Sequence, residues 1–259
     1  MKTFPKTKSL ATSAAILSAL FLLTSWSPPD LNVQIGSQTH ASNYRGYVGG
    51  YTNTLSTSTL QTGFGTVLGN NNTAFLSAAV VAGGSNTIAN GSTTSAHFLS
   101  GSGVFGSNNT IPQSRNNLLV AGTSHTVNAT HSFVSGNSNT LNGVPVGDAS
   151  YCSAAIGQSN NVASTTGWAV GYQNNSSGTR SLSLGSGSNA SQTDSTAIGR
   201  YNATMTSGDV FVVGTGTSSV PNTSLKATSD GSVVLGSATS GKVVLAKAQG
   251  DISMGQYTN

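Results

Sequence analysis

The sequence predicts an all-β chain: a parallel β-solenoid of 14-residue coils with a small C-terminal β cap. Three observations predict it. First, an apolar stretch followed by glycine, usually with Asn three residues on, recurs eleven times between residues 36 and 199. Glycines 157, 171, 185 and 199 stand 14 residues apart, as do the pairs 36/50, 69/83 and 122/136. A fixed period marks stacked repeats in place of a single globule. Second, the apolar residues hold one register against that glycine, which a solvated Ser/Thr/Asn/Gly-rich tract has no reason to do. Third, charged residues are 6% of the chain, against about 25% in an average protein. A single cysteine, Cys152, excludes an intramolecular disulfide framework. Cohesion must then come from backbone pairing and stacking.

Residues 1–27 read as a secretory signal. Lys2, Lys6 and Lys8 precede an uncharged apolar run from Ala14 to Leu23, followed by the small polar residues Thr24, Ser25 and Ser27. The run is shorter than the roughly 20 residues that span a bilayer as a helix, so a secreted, extracellular or cell-surface protein is expected. Three of the basic residues leave with the signal, so the remainder has seven against six acidic residues, all Asp. That balance offers no footprint for nucleic acid and no strong membrane interaction.

Residues 28–207 form the repeat array. One residue before the glycine stand Leu68, Ala82, Phe105, Ala121, Ile156, Val170, Leu184 and Ile198; three before it stand Val80, Leu119, Phe133, Trp168 and Leu182. Side chains two apart on a strand share a face, so these columns are expected to line the core. Five residues after the glycine, Leu55, Ala74, Ile88, Ile111, Val127, Leu141 and Val162 supply the facing column. Between the first two columns lies a third: Val67, Val81, Val104, Val120, Val134, Ala155, Ala169, Ser183 and Ala197. A strand that is apolar on both faces is covered on both. The intervening column is therefore expected to face outward and to mediate homo-oligomerisation. Asn53, Asn72, Asn86, Asn109, Asn139, Asn160, Asn174 and Asn202 occupy the next bend, where Asn tolerates left-handed backbone and can stack as an amide ladder. His125 stands at the same place and reads as a turn substitute.

The glycine interval stretches to 23 residues at 83→106 and 21 at 136→157. The excess must leave the solenoid as loops, one with His97 and Phe98, the other with Asp148, Tyr151 and Cys152. Loops on a rigid scaffold commonly carry recognition, so His97, Phe98, Asp148 and Tyr151 are candidate contacts for an extracellular protein or glycan. Cys152 is expected as a small buried or half-buried residue. No catalytic, cofactor or metal site is predicted. His40, His97, His125 and His131 lack metal-motif spacing, and Arg180, Asp194, Arg200 and Asp209 are too scattered for polysaccharide chemistry. Gly101-Ser102-Gly103 and Gly185-Ser186-Gly187 lack the Lys and helix of a phosphate loop and read as turns.

From 208 to 259 the pattern changes. Val233-Val234-Leu235-Gly236 and Val243-Val244-Leu245, set off by Asp230-Gly231, Ser240-Gly241 and Gly250-Asp251, read as short strands and turns. They are expected to form the terminal unit that repeat arrays require.

The runs SAAIGQSNN (153–161), WAVGYQNNS (168–176), LSLGSGSNA (182–190) and TAIGRYNAT (196–204) resemble the head repeats of YadA-type trimeric autotransporter adhesins. VVAGGSNTI (80–88) and VFGSNNTI (104–111) are similar to the looser variants in such heads. The resemblance covers about residues 36–214. It implies a left-handed β-roll, a homotrimer, and attachment to host matrix, cells or surfaces without catalysis. A structural component of an extracellular fibre, phage tail-fibre-like included, is the alternative. The family's stalk and anchor are not expected here. Heptads are not sustained, and Val210–Val213 and Val243–Ala246 fall short of the roughly 9–11 residues of a membrane strand.

Overall fold

The repeated sequence phrase becomes a repeated pair of strands. A computed structural model describes residues 32–35, 38–40, 44–56, 63–75, 78–89, 101–112, 117–142, 152–237, 240–245 and 252–253. The expected signal, the loop residues His97, Phe98, Asp148 and Tyr151, and Gly36 lie outside the described residues. Each coil up to that of Gly185 lends one strand to each of two sheets, and the chain is a parallel β-solenoid. The first sheet stacks Asn32–Ile35, Tyr44–Tyr51, Gly63–Asn70 and their successors through Asp209–Thr215, all in parallel. The second stacks ten shorter strands from Gln38–His40 to Asn189–Ala190. The glycines are in register: Gly50 pairs with Gly69, Gly69 with Gly83, and so on to Gly199 with Gly214. Intervals above 14 residues therefore insert chain between coils without shifting the ladder.

The glycine is required at each step. Gly157 has φ +113°, a conformation L side chains rarely adopt, and a Cβ there would collide with the carbonyl of Gly171 in the next coil. The left-handed residue of the following bend is not the Asn, as expected from the sequence, but its predecessor. Asn71 (φ 56°), Ser85 (56°), Ser138 (54°) and Ser159 (55°) take that conformation. This turns the next residue inward, so Asn53, Asn72, Asn86, Asn109, Asn139, Asn160 and Asn174 are buried. Their side chains form the amide ladder. Asn139 Nδ2 donates to Ser135 O and Gly157 O (2.9 Å each), and Asn139 Oδ1 accepts from Asn160 N–H (2.9 Å) and Nδ2 (3.1 Å). Each rung thus bonds its own coil and the next, satisfying buried backbone groups at the corner.

The core between the sheets is narrow. Leu55, Ala74, Ile88, Ile111, Val127, Leu141 and Val162 of the second sheet are buried, as the sequence predicts. Opposite them sit Val67, Val81, Val104, Val120, Val134, Ala155, Ala169, Ser183 and Ala197, every one at 0% exposure within a single chain. This reverses the expected facing. The column assigned to an oligomer interface fills the solenoid, and the columns assigned to the core point outward. Size is the physical reason. Two short strands closing on each other leave room for Val, Ala or Ser, but not for Phe105, Phe133 or Trp168. Toward the C-terminal end the core becomes hydroxylic. Ser176 Oγ donates to Ser181 O (3.0 Å) and Ser183 Oγ to Ser188 O (2.6 Å), so these buried hydroxyls are satisfied.

The array is closed in two ways. The Asn202 side chain bonds Asn189 as a peptide would: Oδ1 accepts from its N–H (2.7 Å) and Nδ2 donates to its carbonyl (3.0 Å). This ends the second sheet with a paired edge. Met205 is buried with Ala190, Ala197 and Val212 and closes the core. The first sheet does not stop. Asp209–Thr215, Thr223–Thr228, Val233–Ser237, Ser240–Leu245 and Ile252–Ser253 continue it as an antiparallel meander. The tail thus prolongs the sheet, while Met205 does the plugging.

Candidate interaction surface

Alternation along each strand fixes what the two outer faces present. On the second sheet, the outward residue preceding the buried column is Thr54, Thr73, Thr87, Thr110, Thr126 and Thr140, then Asn161, Asn175 and Asn189. The asparagines bond one another along the stack: Asn161 Nδ2 donates to Asn175 Oδ1 at 2.9 Å and Asn175 Nδ2 to Asn189 Oδ1 at 3.0 Å. That face is wet by design of its residues. The first sheet differs. Its outward columns carry Leu68, Val80, Phe105, Leu119, Phe133, Trp168 and Leu184, with Trp168 at 48% and Phe105 at 43% exposure. From Tyr47 to Val213 the two columns hold no charged residue. Water-facing strands do not read this way, and large continuous apolar strips mark interaction sites. The sequence signal for the true facing was side-chain volume. The buried column is uniform, whereas the outward columns range from Gly103 to Trp168.

A groove of about 490 Å³ runs beside this strip, lined by Leu119, His131, Phe133, Cys152, Ala154 and Trp168 among others. Its outer wall is the corner column five residues before the glycine: Gly101, Asn117, His131 and Cys152, continued by Thr166, Arg180 and Asp194. Cys152 is exposed, contrary to its expected burial, because the corner position turns the side chain out of the coil. His131 Nδ1 and Ser153 Oγ are buried beside it without a hydrogen-bond partner. Arg180 and Asp194, scattered in sequence, stack in adjacent coils as a bidentate pair, with Nη2 to Oδ2 at 2.7 Å. The carboxylate raises the Arg180 pKa, and the guanidinium lowers that of Asp194. Both are exposed, so the pair decorates the corner and creates no reactive centre. Residues 90–100 and 143–151 connect Ala89 to Gly101 and Asn142 to Cys152, and Gly101 and Cys152 both stand on this corner.

The remaining buried ionisable groups serve structure. His125 replaces Asn as a ladder rung, as its position in the sequence predicts. Its N–H donates to Asn109 Oδ1 (3.1 Å), its Nδ1 accepts from Asn139 N–H (3.1 Å), and Nε2 lies 3.3 Å from Ala121 O. This arrangement requires the neutral Nε2–H tautomer. Burial pushes the imidazole below its ordinary value. Asp209 is buried against Lys226, with Oδ1 at 2.8 Å from Nζ, and Oδ2 accepts from Thr206 N–H at 2.7 Å. Among the described residues no three His, Cys, Asp or Glu side chains gather as a metal site.

Comparison with known families supplies the decisive observation: the model of the YadA head domain repeat matches twice, over residues 169–188 and 176–202. Residues 169–202 are thus similar to YadA-type head repeats. No curated protein and no solved structure matches the chain. The matched stretch spans coils whose glycines fall at 171, 185 and 199, where the period is a strict 14. Upstream coils have longer insertions but pair in the same register. YadA-type heads belong to adhesin-like trimeric autotransporters; they are in general homotrimeric, and the adhesins that carry them are surface-exposed and non-enzymatic.

Proposed function

We propose that this chain is the head of a secreted or surface-exposed adhesin, working as a homotrimer that attaches to host matrix, cells or other surfaces without catalysis. The observation that carries the reading is the uncharged apolar strip on the outer face of the first sheet, from Tyr47 to Val213. The second sheet offers water a Thr and Asn array, so one face of the rod is finished and the other requires cover. Three copies packed strip to strip along a common axis would cover it, and YadA-type heads are in general homotrimeric. The second sheet and the Gly101–Asp194 corner remain outermost. His97, Phe98, Asp148 and Tyr151 belong to the two inserted segments, whose described flanks Gly101 and Cys152 stand on that corner, and recognition through these residues would repeat in each subunit. Weak contacts to an extracellular protein or glycan then add by avidity.

The test is direct. Beads coated with the purified protein are expected to adhere to matrix proteins, glycan arrays or cell layers above beads carrying an inert trimeric rod. A variant lacking residues 143–150 is expected to bind less. Adhesion equal to the inert control on all three would remove the adhesin reading.

A further inference from the structure

The meander at the end of the first sheet is one layer thick. The second sheet ends at Asn189–Ala190, so among the described residues no strand lies behind Thr223–Thr228 or Val233–Ser237. Every residue of Thr223–Thr228 is half-buried; the segment 203–209 touches the strand through Ala203 N–H to Thr223 Oγ1 (3.1 Å) and Lys226 Nζ to Asp209 Oδ1 (2.8 Å), and among the described residues no second layer of strands completes the cover. An isolated layer of this kind is poorly stable in water, because a sheet's apolar face must pack on something.

Register shows which face needs cover. Phe211 pairs with Ala227 and Ala227 with Val233, while Val213 pairs with Leu225 and Leu225 with Leu235. These six lie on one side. The other side carries the row Val212–Lys226–Val234, in which Lys226 is tied to Asp209. The apolar side is no separate patch. Thr196 pairs with Phe211 and Ile198 with Val213, so the outward columns of the coils run straight into it. The first sheet thus presents one uncharged strip across the thirteen strands from Tyr44–Tyr51 to Val233–Ser237, on the order of 60 Å at the usual strand spacing.

We propose that the meander is a self-association element: its Phe211–Leu235 face packs against the same face of sister copies, fastening the C-terminal end of the assembly. The occupant is a second copy because the face continues the strip already assigned to sister chains and is, like it, apolar and neutral. The inference rests on the homotrimeric reading above and extends it beyond the head repeats.

The test uses the full chain. In Leu225→Glu/Leu235→Glu, each carboxylate enters the contact, and self-association measured by sedimentation is expected to weaken by about 100-fold or more. Val234→Glu, in the opposite row with Lys226, should leave it unchanged. As a second measurement, Leu235→Cys on a Cys152→Ser background should form interchain disulfides under mild oxidation, and Val234→Cys on the same background should not. If the double variant fails to fold, the crosslinking decides alone. An oligomeric wild type whose association ignores the double substitution, or whose Leu235→Cys form does not crosslink, overturns the meander inference and leaves the trimeric head standing. A monomeric wild type overturns both.

Discussion

Among the described residues His125 is the one titratable rung in a ladder otherwise built of Asn and Ser, and it should make the rod acid-sensitive at its middle. Its Nδ1 accepts the Asn139 N–H at 3.1 Å in a fully buried site. A proton on Nδ1 would set one donor against another. The lost bond and the stranded buried N–H together amount to about 1–3 kcal/mol. The folded-state pKa is lowered from 6.5, so the unfolded chain takes up the proton first as pH falls. The stability is therefore fully present above about 6.5 and is lost as pH drops toward and through the folded value, with a slope of up to about 1.4 kcal/mol per pH unit. The residues meeting the ring, Ala121, Gly122, Gly136 and Asn139, do not titrate, so the slope belongs to His125. His125→Asn restores the rung found in the coils on either side and should flatten this component. Denaturant midpoints of wild type and variant at a series of pH values from 7.5 down to 5 give the difference directly. Equal pH slopes, or a wild type that gains stability relative to the variant on acidification, would refute the assignment of a neutral, accepting imidazole.

Other expectations follow from the same geometry. Asn139→Ala strands the N–H of Asn160 and the carbonyl of Gly157, and should cost about 1–3 kcal/mol for each buried group left unpaired, read as a fall in unfolding midpoint. Gly157→Ala puts a Cβ against the Gly171 carbonyl at φ +113°; strain of at least about 1–3 kcal/mol should show as loss of β signal on mild heating. Adjacent residues separate the two faces: Val134→Glu buries a charge and should unfold the chain, at several kcal/mol, whereas Phe133→Glu should leave folded, dissociated protein by circular dichroism and sedimentation. Cys152 should react with a maleimide in native protein as fast as after denaturation, since its thiol is exposed at the corner.

The period, the parallel register and the rung positions were legible because they depend on repetition alone: a glycine whose Cβ has no room and an Asn that must reach two coils. The facing of the strands was not, because a wall apolar on both sides gives periodicity nothing to choose between. Volume would have chosen. Val67 through Ala197 vary little, whereas Phe105, Phe133 and Trp168 exceed what two short strands can enclose. The left-handed residue was misplaced by one because Asn71 and Asn72, or Asn108 and Asn109, offer the same side chain at both positions. Ser85, Ser138 and Ser159 in the other coils mark the correct one. The Arg180–Asp194 pair became visible only once a 14-residue separation was read as one strand spacing. Asn202 looked like a further rung, but its coil lacks a second-sheet strand, so its amide caps the sheet.

Native mass spectrometry of the purified chain tests the central claim, that an apolar strip on the outer wall of the first sheet is covered by sister copies. A species of three chains, converted to single folded chains by Phe133→Glu, is the predicted result. A well-behaved monomer with Phe105, Leu119 and Trp168 open to solvent would contradict it.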